Sequence, residues 1–88
     1  MIHSPKWLVL AALVSASPDT PGVYELWDGD RLLCVRGTHG GTLREELVQE
    51  IFARGIAATH FAWEITYRPL ERERELLQEL TAGNPSDI

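Results

Sequence analysis

Residues 21–38, PGVYELWDGDRLLCVRGT, constrain the fold more than any other stretch of the chain. Two β-prone runs at 23–27 and 32–36 flank Asp28-Gly29-Asp30, a turn cluster whose glycine can take positive φ. Pro21-Gly22 marks a chain reversal ahead of the first run. A β-hairpin is expected. Strand alternation sets Tyr24 and Leu26 on one face and Val23, Glu25 and Trp27 on the other.

The other elements follow from periodicity and punctuation. Residues 5–16 read as a helix, opened by Ser4-Pro5 as N-cap and first-turn proline. It closes before Ser17-Pro18, because the residue ahead of a proline is driven out of the α region. Trp7, Leu8, Leu10, Ala11 and Val14 give it an apolar face, although the run is apolar nearly all round and periodicity alone does not separate a helix from a buried strand. Its Trp7/Leu10/Val14 side is expected to pack on the domain, with 17–21 as a linker. Beyond a flexible loop at Thr38-His39-Gly40-Gly41, Thr42-Leu43-Arg44-Glu45 carries a capping box. Leu43, Leu47, Val48 and Ile51 share a helical face and Gly55 supplies the stop, so a helix is expected over 43–54. From 58 to 67 the chain alternates, Phe61, Trp63, Ile65 and Tyr67 against His60, Ala62, Glu64 and Thr66, as a half-buried strand does; the strand is placed at 60–67. Pro69 opens a last helix over 70–82, stopped by Gly83-Asn84-Pro85. The fold class expected is α+β, a small mixed or antiparallel three-stranded sheet flanked by helices.

Length and charge narrow the functions. Eighty-eight residues make a single small domain, 1–88, able to bury roughly 60–65% of its unfolded surface. The net charge is −5, which counts against a tight general nucleic-acid binder, since such binding draws on phosphate neutralisation. One cysteine excludes an intramolecular disulfide and fits a reducing cytoplasm. Residues 7–16 are far too short to span a bilayer, and no membrane association is expected. The alternative is a secreted protein with residues 1–16 as signal peptide, Lys6 before the apolar core and Val14-Ser15-Ala16 as the cleavage site. The Ser4-Pro5 helix start, and a small domain's need for apolar area, favour the retained segment. Cys34, His39 and His60 lack the paired spacing of a zinc site, and no Walker motif, Gly-rich phosphate loop or Ser/His/Asp set is present.

One residue of the last helix is out of place. At about 100° per residue, Leu70, Leu76, Leu77 and Leu80 cluster on one side with Glu73 among them. A carboxylate centred on an apolar stripe is costly unless it is paired or holds a metal. An arginine partner, or a position at the stripe's edge, is the plain explanation.

Gly22-Val23-Tyr24 followed by Leu33-Cys34-Val35-Arg36-Gly37-Thr38 resembles the two-strand signature of the GIY-YIG endonuclease superfamily. That family's fold is a three-stranded sheet flanked by helices in this order, so the resemblance extends over roughly residues 21–85, with 1–20 as an N-terminal helix and linker. It implies that Tyr24 lies beside a nucleophilic water; the alternative is a core or rim tyrosine with a polar handle. It also implies that Glu73, in Pro69-Leu70-Glu71-Arg72-Glu73-Arg74-Glu75-Leu76-Leu77, holds Mg2+. Other positions depart from the pattern. Cys34 stands where the second tyrosine belongs and Arg36 where a glycine belongs. Glu46 stands where the family's essential arginine would precede Leu47. Arg44, two positions earlier, lies about 200° around the helix. Glu50 replaces a histidine, and the resemblance matches Asn84 to an asparagine near the family's C-terminal end, the alternative being plain Asn-Pro turn chemistry after a helix. Arg36, His39 and Asn84 are the candidate substrate contacts.

An arginine that stabilises developing phosphate charge is a large catalytic term, and a glutamate in its place adds repulsion. The expectation is therefore a degenerate, catalytically inactive domain, without a required cofactor, kept for binding a protein partner or a second copy of itself. Nucleic-acid binding would be weak, because Arg36, Arg44, Arg68, Arg72 and Arg74 are interleaved with acidic residues. The alternative is an active Mg2+-dependent endonuclease cleaving DNA with a rearranged site, Arg36 or Arg44 supplying the cation.

Overall fold

The hairpin forms with longer arms than its β-prone cores. In the computed structural model, which describes Ile2 and residues 5–82, β2 (Gly22–Asp28) and β3 (Arg31–Gly37) pair antiparallel down to Asp28 opposite Arg31. Gly29-Asp30 is left as a two-residue turn, with Gly29 at φ 60 and no described non-glycine residue at positive φ. Positive φ at the first central position alone is the pattern of a type II′ turn, whose twist matches that of the strands. A register shift between Leu26 and Trp27 makes Leu33 an extra residue in β3. This bulge lets the consecutive Leu33 and Cys34 both pack on the same core.

Two further strands complete a four-stranded antiparallel sheet in the order β1-β4-β2-β3, where β1 is Trp7–Leu8 and β4 is His60–Ile65. The sheet thus has four strands rather than three. Helix α1 (Ala11–Ser15) and helix α2 (Leu43–Val48) cover one face. There Tyr24, Leu26 and Phe61 meet Val14, Leu43, Leu47 and Ile51. Helix α3 (Pro69–Ala82) covers the other, where Val23, Val35 and Ala62 meet Leu76 and Ile2. The hairpin alternation is as expected. β4 is not half-buried, because both of its faces are covered: Phe61 and Ala62, adjacent and opposite in direction, are each 1% exposed.

The N-terminal segment departs furthest from the expected helix over 5–16. Trp7 pairs with Phe61 and Leu8 with His60, and Val9 N–H continues the ladder to Thr59 O at 2.9 Å. The open side of β4 takes up the start of an apolar run that contains Trp and Val, residues that favour strands over helices. Only Ala11–Ser15 remains helical. Val14 is fully buried, while Trp7 and Leu10 are 40% and 53% exposed, so the Trp7/Leu10/Val14 side does not pack as a unit. Ser4 and Gly83-Asn84-Pro85 lie outside the described residues.

The Thr42 capping box is complete, each partner's side chain reaching the other's backbone N–H. The expected 43–54 helix is divided: after Val48 the chain passes into a π-helical turn, Gln49–Ala53. Its mark is Arg54 N–H donating to Gln49 O, five residues back, at 2.9 Å. Gly55, at φ 69, ends it. On α3 the apolar stripe is narrower than the leucines suggest, since Leu76 is buried and Leu80 half-buried while Leu70 and Leu77 are exposed. Among the described residues no helix is long and apolar enough to cross a membrane.

Candidate functional site around Tyr24

Pairing across the hairpin sets Tyr24 directly opposite Arg36 on β3, and opposite Trp63 on β4. Both hairpin residues project toward the face covered by α2, as does Cys34 opposite Leu26. Tyr24 is 1% exposed. Burial first, then the carboxylates of Glu50 and Glu46, push its phenol well above the ordinary tyrosine range, with Arg36 pulling weakly the other way. The Cys34 thiol is likewise pushed up, chiefly by burial, with Arg36 opposing. Arg36, itself exposed, is raised chiefly by hydrogen bonding with the Cys34 side chain. Tyr24, Cys34, Arg36, Glu46 and Glu50 therefore share one electrostatic neighbourhood.

The helical period carries Glu50 there. It stands seven residues after Leu43 and three after Leu47, two of the buried positions of α2. It is buried in turn, and Arg54 Nη1 donates to its Oε1 at 3.0 Å. Glu46 is engaged differently, its Oε2 accepting from His39 N–H at 2.7 Å and so fixing the loop after β3. His39 is exposed on that loop. Arg44 turns away from this group. Its Nε donates to Ser17 O at 3.0 Å and its Nη1 lies 4.0 Å from Asp19, tying α2 to the linker before the hairpin.

Glu73 is held on the α3 side. Its Oε1 accepts from Gly37 N–H at 2.7 Å. Glycine at 37 makes the approach feasible, because a Cβ there would collide with the Pro69 carbonyl at the start of α3. The partner that offsets this carboxylate's desolvation is thus a backbone amide and not an arginine. Tyr24 points to the sheet face under α1 and α2, whereas Glu73 stands on α3, which covers the opposite face. Asn84 lies outside the described residues.

The metal implied by the family resemblance fits these residues poorly. Glu73 already faces an amide donor, and among the described residues no three His, Cys, Asp or Glu side chains gather closely enough to hold an ion. Cys34, His39 and His60 make no such group either.

Sequence reasoning passed over Glu25. It is 1% exposed on the α3 face, with Ile2 N–H donating to Oε2 and Trp27 Nε1 donating to Oε1, both at 3.2 Å. Lys6 braces the same corner, its Nζ 4.3 Å from the Trp27 ring centre and donating to Gly29 O at 3.2 Å. A glutamate inside a β-prone run was the available signal. Arg72 also finds its role on this face, donating to Glu64 at 2.7 Å and to Glu75 at 3.1 Å, and those hydrogen bonds push its pKa up.

No protein-family model, curated protein or solved structure matches the chain.

Proposed function

We propose that the chain is a degenerate GIY-YIG-like domain that binds a protein partner or a second copy of itself and does not cleave nucleic acid. The observation that supports this best is Tyr24, almost wholly buried with two carboxylates acting on its phenol. A nucleophilic water and a phosphodiester need open access there, and they need positive charge where the transition state gains negative charge. Glu46 and Glu50 offer the opposite sign. The engagement of Glu73 with Gly37 N–H and of Arg44 with Ser17 O favours the same reading, since both side chains serve the fold. Exposed Trp7, Leu8 and Leu10 near the start of the chain, and Ile65, Tyr67 and Leu70 where β4 leads into α3, give apolar surface suited to a protein. The net charge of −5 disfavours DNA.

Incubation with plasmid, linear duplex and branched DNA in Mg2+ or Mn2+ tests the catalytic half. No cleavage is expected, and DNA binding should be weak and vanish at moderate salt. Cleavage by the wild-type chain that is lost in Glu73→Gln overturns it. Sedimentation over a micromolar concentration range then separates a second copy from a distinct partner. One observation favours a working Mg2+-dependent endonuclease as the second reading: Arg36 lies directly across from Tyr24 and could act as the substitute cation. In that case Arg36→Ala would abolish the cleavage.

A further inference from the structure

We draw no further inference here: the strongest candidate, the outer edge of β3 flanked by Arg31 and Arg36, is interrupted by the bulge at Leu33 and blocked at Gly37 N–H by the Glu73 carboxylate, and nothing in the structure shows what covers it.

Discussion

The two faces of the sheet are built from alternate residues of the same strands, yet they solve the burial problem differently. Under α1 and α2 the core is made of large side chains, Tyr24, Leu26, Leu43, Leu47 and Phe61, and its ionisable groups gather around one phenol. Under α3 the core is thin, made of Val23, Val35, Ala62, Leu76 and Ile2, and it sits beside a fully buried carboxylate, Glu25, that meets a backbone amide and an indole. Polar straps reinforce the thin face: Arg72 to Glu64 and Glu75, and Lys6 to the Trp27 corner. A thick apolar layer tolerates poorly arranged charge at its margin. A thin one needs each polar group matched.

Truncating the thick core should have the largest effect. Phe61→Ala is expected to cost about 3–5 kcal/mol, whereas Leu76→Ala on the α3 face should fall near 2 kcal/mol, the low end for such truncations. Urea unfolding with unchanged m reads both; equal losses would erase the distinction between the faces. Next comes the matched polar group. Glu25→Ala leaves Ile2 N–H and the Trp27 indole N–H without their acceptor and should cost about 1–3 kcal/mol. Faster hydrogen exchange of the Trp27 indole proton would locate the damage, and a change within experimental error would show that the strap is dispensable.

The smallest effect at neutral pH, under about 1 kcal/mol, is expected for Tyr24→Phe, and it grows with alkali. The folded phenol holds its proton more tightly than the unfolded one, whose ordinary value is 10.0. The stability tied to the protonated phenol is therefore complete below pH 10 and lost as pH rises beyond it, at up to about 1.4 kcal/mol per pH unit. Tyr24→Phe should remove that part of the alkaline decline. An unchanged stability-against-pH curve would mean that neither burial nor the carboxylates beside it hold the Tyr24 proton in the folded chain.

The local features were legible in the sequence because their causes are local. Gly29 turns the hairpin, Thr42 and Glu45 cap α2, and Gly55 stops the π-helical turn that follows it, each within a few residues of the partners it needs. What was hidden depends on distant strands. Trp7 and Leu8 read as helical until the open side of β4, more than fifty residues on, is there to pair with them. Glu73 announced itself as an anomaly, but its acceptor role rests on an amide 36 residues away. Glu25 gave only the hint of a glutamate in a strand, since one of its donors, Ile2, comes from the far end of the N-terminal segment. The Tyr24 neighbourhood was half visible: Cys34 and Arg36 stood among the positions the resemblance singled out, whereas Arg44 turns to the linker for reasons the helix's own period does not contain.

The contact between Glu73 and Gly37 has a consequence for solubility. β3 is an outermost strand, and such a border offers unsatisfied amides on which another chain can crystallise into a longer ladder. Thr38 N–H reaches inward to Gly22 O; by ladder alternation the neighbouring Gly37 N–H faces away from β2, and there the carboxylate sits on it. A foreign strand approaching this end would have to evict an ionised group whose oxygens repel its own carbonyls. The side chain that looks like a metal ligand in one dimension thus works in three as a guard against fibrous growth.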